Sequence, residues 1–514
     1  MSFDALSPEL VIAVVGTGAM GRGIAQVAAQ AGITVLLHDT RRDGAEEARA
    51  AITDELNFLA AKGKLEWSVA TTAASNLVAV ARLQDVAPAH VVIEAIVENR
   101  DAKQALFKEL EQVVSESCIL ATNTSSLSVT EIAAKCARPA RVAGLHFFNP
   151  VPRMKLVEVV AGVATRAAVC DSLVALVNRM GHAPVRAQDT PGFVVNHAGR
   201  GLGTEALRLV AEGVAPFHEI DAILREQAGF RLGPFELFDL VGLDVSAPVM
   251  ESIYRQYYEE PRFRPTPLLT QRLRAGLLGK KSGEGFYRYV DGHAVKPLPL
   301  RPPDDRPASV WVSSAQPGLG RSARALLSGL GAEIETAARP SEDALCFVTP
   351  LGEDVSTCCA DEGLDPTRTV ALDMLFANAQ RRALMLSPFT SKASRDAAHG
   401  LLASGGQVSI VQDSVGLIAQ RVVATIINIA CDMAQQQVAT PGDIDSAVTL
   451  GLGYPSGPLS WGNQLSPKVV LQILVNMQQL TGDPRYRPSP WLRRRAQLGV
   501  SLLAQNVNGT APMT

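Results

Sequence analysis

The sequence predicts an α/β protein in which a mostly parallel sheet is followed by an all-helical domain, and the same pair then recurs in degenerate form. Three observations carry this. Short β-branched apolar runs alternate with helical stretches over the first part of the chain, the pattern of a doubly wound parallel sheet. From about Asp189 the texture changes to long helical patterns with few strands, as far as about Leu278. Beyond a proline-rich stretch, segments of the first part return at fixed separations.

Val11-Ile-Ala-Val-Val15 reads as a buried parallel strand. Gly16-Thr-Gly18-Ala19-Met20-Gly21 follows at once, and Arg22 to Ala31, rich in Ala and Gln, reads as a helix stopped by Gly32. Ile33 to Leu37 is a second buried strand that ends at His38-Asp39. Further strands are predicted at Val91–Ile93, Cys118–Ala121 and Arg141–Leu145. Lys296 to Pro307 contains five prolines, which can continue neither a helix nor a central strand, so it reads as a semi-rigid linker. The expected division is a sheet domain at 1–188, a helical domain at 189–290, the linker at 291–308, a second sheet domain at 309–411 and a second helical domain at 412–505.

The repeat rests on paired segments. Asp189-Thr-Pro-Gly-Phe-Val-Val-Asn196 has a counterpart in Asp413-Ser-Val-Gly-Leu-Ile-Ala-Gln420, and Gly233-Pro-Phe235 in Gly457-Pro-Leu459, both 224 residues on. Val310 to Gly331 lies over Val11 to Gly32 at a separation of 299. Ala315 then stands for Gly16, Pro317 for Gly18 and Ala338 for Asp39, while Gly320 alone matches Gly21. An ungapped overlay on Pro150 and Pro388 puts Leu384 where His146 stands. A phosphate-binding turn needs its glycines, and proline removes a donor, so the second unit is expected to keep the fold and lose the nucleotide.

The 514 residues suffice for about three to four domains. With 47% apolar and 19% charged residues the composition is that of a globular protein. A net charge of −3 gives no electrostatic reason to expect nucleic acid or a membrane surface as partner. Seven cysteines, scattered and with no C-x-x-C pair, read as reduced thiols and not as a metal site. With neither a signal peptide nor a stretch of about 18 uninterrupted apolar residues, a cytoplasmic protein is expected.

The glycine turn follows a strand, opens a helix and has Asp39 placed 23 residues beyond its first glycine. That context identifies a Rossmann turn and predicts NAD. Gly16, Gly18, Ala19, Met20 and Gly21 would present backbone N–H groups to the pyrophosphate at a helix N-terminus. Asp39 would accept hydrogen bonds from the ribose hydroxyls and repel a 2′-phosphate, although Arg41 and Arg42 keep NADP open as an alternative.

A second constellation follows the later strands. Ser125, in Thr124-Ser125-Ser126-Leu127, and His146, in Gly144-Leu-His-Phe-Phe-Asn149-Pro150, both lie at strand carboxyl ends, where such sheets place ligands. Glu158 comes twelve residues after His146, and Asn196 opens the helical region. Oxidising a secondary alcohol needs a base for the hydroxyl proton while hydride leaves carbon. Histidine suits that task, a carboxylate on its other ring nitrogen fixes the tautomer, and Ser125 and Asn196 can hydrogen-bond the substrate's oxygens. Taken singly, a histidine after a strand is usually structural and an isolated glutamate usually solvated; the joint pattern singles these residues out.

Asn-Thr-Ser-Ser-Leu (123–127), Gly-Leu-His-Phe-Phe-Asn-Pro (144–150), Met-Lys-Leu-Val-Glu (154–158), Asp-Thr-Pro-Gly-Phe-Val-Val-Asn (189–196), Gly-Pro-Phe-Glu-Leu (233–237) and Lys-Ser-Gly-Glu-Gly-Phe-Tyr (281–287) together resemble the 3-hydroxyacyl-CoA dehydrogenase family. The resemblance implies NAD-dependent oxidation of an (S)-3-hydroxyacyl-CoA, with His146 as base, Glu158 as its orienting partner, and Ser125 and Asn196 at the reacting oxygen. It implies cofactor contacts from Glu98, Lys103, Ser125, Asn149 and Lys281, and places Lys62 and Lys64 toward the CoA phosphates. The two-copy form without a fused hydratase resembles bacterial dehydrogenases of phenylacetate degradation, which implies 3-hydroxyadipyl-CoA as substrate. Arg153 and Arg200 are the basic candidates for its distal carboxylate. The alternatives are a short substrate such as 3-hydroxybutyryl-CoA, a subunit of a fatty-acid oxidation complex, or a catalytically silent NAD-binding relative. Single-copy members pair two subunits through the helical domain, so either a homodimer or an intramolecular pseudo-dimer is expected.

Overall fold

Eight strands form the first sheet of the computed structural model, which describes residues 4–298, 301–378 and 380–506. They are β1 (Val11–Val15), β2 (Thr34–His38), β3 (Leu77–Ala79), β4 (Val91–Glu94), β5 (Ile119–Thr122), β6 (Val142–Phe147), β7 (Leu156–Ala161) and β8 (Ala183–Gln188). Their order is β3-β2-β1-β4-β5-β6-β7-β8. The first six run parallel in the Rossmann order, β7 is antiparallel to β6, and β8 is parallel to β7. Ile12 and Val14 of β1 join the core on one face, Ala13 and Val15 the core on the other. Burial on both faces is why these strands read as unbroken apolar runs. Residues 1–3 of the expected first domain and Pro299 of the expected linker lie outside the described residues.

The strand boundaries differ from expectation by a residue or two. The first helix, Ala19–Gln30, begins earlier than expected because Gly18 is its N-cap and the turn itself supplies the first helical residues. β3, β7 and β8 were not foreseen. β3 is only three residues long, and a charged residue, Glu158, interrupts the apolar run of β7 although that strand is almost wholly buried.

Two compact units emerge, and they do not follow the linear division. Of the described residues, one contains those up to His197 together with Gln436–Leu452 and 505–506. Within it, helix Pro441–Leu452 packs on β7 and β8, and the Gln188 amide donates to the Val438 carbonyl at 2.8 Å. Gly451 makes the approach possible: a Cβ there would lie 2.8 Å from Leu156 Cδ2 and 2.9 Å from Val195 Cγ2.

The other unit contains Ala198–Gln435 and Gly453–Ala504. Helices Arg200–Ala211 and Ile418–Gln435 pack on each other there. A short hairpin joins β9 (Tyr289–Val290) to β10 (His293–Ala294), so irregular chain begins at Val295, inside the stretch expected to be linker from 291. The second sheet has the order β11 (Val310–Val312), β12 (Leu345–Val348), β13 (Thr369–Leu372), β14 (Arg381–Leu386), β15 (Gln407–Gln412). As in the first sheet, its last three strands run antiparallel and then parallel.

The register of this sheet corrects the expected position of Leu384. Val185 is opposite Glu158, and Ser409, 224 residues on from Val185, is opposite Ala383. Across the antiparallel pair the Asp373 amide donates to the Ala383 carbonyl, just as His146 faces Glu158. If the second sheet repeats the first, Asp373 and Ala383, not Leu384, take the places of His146 and Glu158. The overlay failed because Pro150 follows β6 whereas Pro388 follows β14, a different strand of the plan.

Candidate functional site

The turn after β1 uses its three glycines for three separate purposes. Gly16 has φ +96°, and a Cβ there would meet the Ala95 carbonyl oxygen at 2.6 Å. Gly21 lies so close to the first turn that a Cβ would overlap the Gly16 carbonyl oxygen. At Gly18 a Cβ would meet nothing within 4 Å, which leaves the backbone open to an approaching ligand. Helix Ala19–Gln30 begins there with no side-chain cap and no acid in its first turn. Its N–H groups and positive dipole end suit a pyrophosphate.

Asp39, just past β2, is held rather than loose. Its Oδ2 accepts from Thr17 N at 2.9 Å and Thr17 Oγ1 at 2.6 Å, and its Oδ1 accepts from Arg41 N at 2.9 Å. Burial opposes its ionisation, yet the hydrogen bonds from Thr17 and the Arg41 amide keep the carboxyl below the usual range. Arg41 pairs with Asp39 and with Glu47 at 3.3 Å, and Arg42 with Asp43. Their charges are thus already matched by carboxylates, which weakens the case for a 2′-phosphate. The residues present fit NAD.

At the carboxyl ends of β4 and β5, acids organise the loop that carries Ser125. Glu98 Oε1 accepts from Thr124 Oγ1 (2.6 Å), Ser125 N (3.0 Å), Ser126 N (3.1 Å) and Ser126 Oγ (3.0 Å). Lys103 is buried, with Nζ 2.6 Å from Glu94 Oε1 and 3.3 Å from Glu98 Oε2. Ser125 itself is exposed.

The register of β6 and β7 sets His146 directly opposite Glu158. His146 Nδ1 is 2.6 Å from Glu158 Oε2, and both residues are buried. Glu158 Oε1 accepts from Val194 N and Val195 N, each at 2.9 Å. The turn just before, with Gly192 at φ +78° and Phe193 at φ +48°, aims these amides inward and opens the short helix Val195–Ala198 that bears Asn196. One carboxylate thus fixes the imidazole and the start of the Asn196 helix together. With the carboxylate on Nδ1, the proton is assigned to Nδ1 and Nε2 is left as the basic nitrogen. Phe148 packs on the imidazole at 4.4 Å between ring centroids.

The remaining expected residues are dispersed. Asn149 is exposed after β6, at a cis bond to Pro150. Lys62 and Lys64 are exposed beyond helix Gly44–Ala61, where Lys62 Nζ lies 5.6 Å from the Phe58 ring. Arg153 is exposed. Lys281 and Arg200 belong to the second unit. There Lys281 pairs with Asp244 at 2.8 Å, and burial pushes the Arg200 guanidinium down to about 10.

The model of the 3-hydroxyacyl-CoA dehydrogenase NAD-binding domain matches residues 11–190, and that of the C-terminal domain matches 192–289 and again 416–504. The chain belongs to the 3-hydroxyacyl-CoA dehydrogenase family. It is similar to the 3-hydroxyadipyl-CoA dehydrogenase of Escherichia coli, 40% identical over 95% of this chain and 97% of the relative. It is also similar to a probable 3-hydroxybutyryl-CoA dehydrogenase of Deinococcus radiodurans, 42% identical over 54% of this chain and 99% of the relative. Among solved structures, 3-hydroxybutyryl-CoA dehydrogenase from E. coli superposes with a TM-score of 0.84 at 37% identity, covering 95% of this chain and 98% of that one. The protein is an NAD-dependent oxidoreductase acting on 3-hydroxyacyl-CoA. No helix among the described residues is long and apolar enough to cross a membrane.

For this dehydrogenase, Asp39→Ala should weaken NADH binding more than NADPH binding. An acid at this place in a Rossmann turn accepts the ribose hydroxyls and repels a 2′-phosphate, and the variant would lose both effects. Fluorescence titration with both nucleotides checks this; equal weakening would mean that the ribose is held elsewhere. Thr17 and Glu94 escaped sequence reading. Thr17 occupies a variable position of the glycine pattern, and the only signal for Glu94 was an acid ending a buried apolar strand.

Proposed function

We propose that the chain oxidises (S)-3-hydroxyadipyl-CoA to the 3-oxoacyl thioester in phenylacetate breakdown. Support for this substrate is the similarity, over almost the whole two-part chain, to a relative bearing that name. The observation that carries the chemistry is the buried 2.6 Å contact between His146 and Glu158. His146 Nε2 takes the proton of the 3-hydroxyl. Glu158 holds the Nδ1 proton and stabilises the imidazolium that forms. Ser125 and Asn196 orient the reacting oxygen. NAD, when bound, accepts the hydride. Gly16, Gly18, Ala19, Met20, Gly21 and Asp39 would hold it, assisted by Glu98 and Asn149, while the buried Lys103 acts through its pairing with Glu98. Lys62 and Lys64 face the CoA phosphates.

The distal carboxylate needs a cation, and Arg200 is one of two candidates. It follows Asn196 by four residues in the sequence. Arg153, exposed after Asn149, is the other. A second reading, 3-hydroxybutyryl-CoA as substrate, is favoured by the name of the superposed E. coli structure. Comparing kcat/KM for the two esters decides between them. The dicarboxylate reading expects at least about a tenfold preference for the adipyl ester, and a preference for the butyryl ester overturns it.

We further read residues 309–505 as a degenerate copy of the preceding sheet and helical domains, making the chain an intramolecular pseudo-dimer. The cross-pairing inside the second unit supports this. Arg262, in Glu260-Pro-Arg-Phe, bonds Asp432 on helix Ile418–Gln435, while Arg485, in Asp483-Pro-Arg-Tyr, reaches Glu205 on helix Arg200–Ala211. Asp373 and Gln420, hydrogen-bonded at 3.1 Å, stand where His146 and Asn196 stand in the first copy, so the second copy offers no imidazole base. All seven cysteines are free and buried, which agrees with a reducing cytoplasm.

A further inference from the structure

We propose that Glu94 is a positioning residue for the dehydrogenase reaction, joining the floor of the cofactor turn to the loop that presents Ser125. The proposal rests on the reading of Ser125 given above. Glu94 ends β4 and is fully buried. Its Oε1 accepts from Ile96 N at 2.7 Å and from Lys103 Nζ at 2.6 Å, and its Oε2 accepts from Thr122 Oγ1 at 2.7 Å. These donors come from the loop after β4, the helix Arg100–Val113 and the end of β5.

Each donor leads toward one side of the site. Through Ile96 N, Glu94 fixes the Ala95–Ile96 peptide. That peptide forms the wall against Gly16, where a Cβ would lie 2.6 Å from Ala95 O and 2.9 Å from Ile96 N. Through Thr122, Glu94 fixes the strand end from which the Ser125 loop departs. Through Lys103 it anchors the cation that also faces Glu98, whose Oε1 receives both the Ser125 and Ser126 amides.

Electrostatics explains why an acid is required here. Lys103 is 1% exposed and would be costly as a bare cation, so the contact with Glu94 at 2.6 Å keeps it in place. With glutamine in place of Glu94, Lys103 would be drawn wholly onto Glu98. Glu98 would then shift away from the two amides it holds, and the Ser125 hydroxyl would move with its backbone. A displacement of about 1 Å at an orienting group is enough to cost up to about 10²-fold in rate.

The test is a double-mutant cycle on the full-length enzyme. Glu94→Gln keeps the shape and removes the charge. It is expected to lower kcat about tenfold. In a Ser125→Ala background the same change should cost less than about twofold, because the group that Glu94 positions is already gone. Thr122→Val removes a single hydrogen bond and should show the same coupling at about threefold, which keeps the question open to test if Glu94→Gln folds poorly. Costs that multiply independently in the two backgrounds overturn the proposal, as does an unchanged kcat in both variants. If Ser125→Ala alone leaves kcat untouched, it is the role given to Ser125 that falls, a separate outcome read from the single variant.

Discussion

Replacing His146 with glutamine is expected to lower kcat about 10²–10⁴-fold, the usual worth of a general base, with NADH affinity nearly intact. The geometry explains why the two effects separate. Glutamine is close in size to histidine and can still donate to Glu158 Oε2, so the buried carboxylate keeps a partner and the Val194 and Val195 amides keep theirs. What it lacks is a basic nitrogen directed at the substrate hydroxyl. The glycine turn from Gly16 to Gly21 and Asp39, which the proposed function assigns to the nucleotide, lie at β1 and β2, on the other side of β4 and β5 from His146 in the sheet order. Steady-state turnover and NADH fluorescence titration on the same preparation provide the check. Unchanged turnover would remove His146 from the mechanism.

The parts of this site that were legible in the sequence are those set by local structure. The glycine turn needs only its own torsions and the strand and helix on either side, so its place between β1 and the first helix could be read directly. His146 and Glu158 could be named as a pair, but their contact depends on β7 running antiparallel to β6, and β7 itself was not foreseen. The hub role of Glu158 depends on amides 36 and 37 residues downstream. Thr17 and Glu94 act on elements that only the folded sheet brings together. The misplaced Leu384 has the same origin. A proline marks a strand end without saying which strand, and on the reading of the second sheet as a repeat it is the register across β13, β14 and β15 that puts Asp373 in that place. Packing of helix Pro441–Leu452 against β7 and β8 is likewise a tertiary fact with no local sequence signal.

Glu205→Ala should destabilise the second unit by about 3–5 kcal/mol, the typical cost of removing one member of a buried ion pair. Glu205 is fully buried on helix Arg200–Ala211 and faces two arginines of the other half of the chain, Arg421 and Arg485, with the Tyr486 hydroxyl donating at 2.7 Å. Its loss would leave Arg421 with Glu212 at 2.8 Å and Arg485 with Asp483 at 3.4 Å, acids that are less buried and therefore weaker replacements. Burial opposes ionisation of Glu205, but Arg421 and Arg485 outweigh it and hold the carboxyl below its ordinary value of 4.5. A carboxyl with a depressed folded pKa contributes stability that is fully present above the unfolded value and is lost as pH falls through the folded one. The native enzyme should therefore lose this contribution as the pH drops below about 4.5, and the variant should show a shallower acid limb. Urea unfolding followed across that range measures both effects. An alanine variant as stable as the native chain at neutral pH would show that these cross-pairs do not hold the two halves together, and the pseudo-dimer reading would lose its energetic basis.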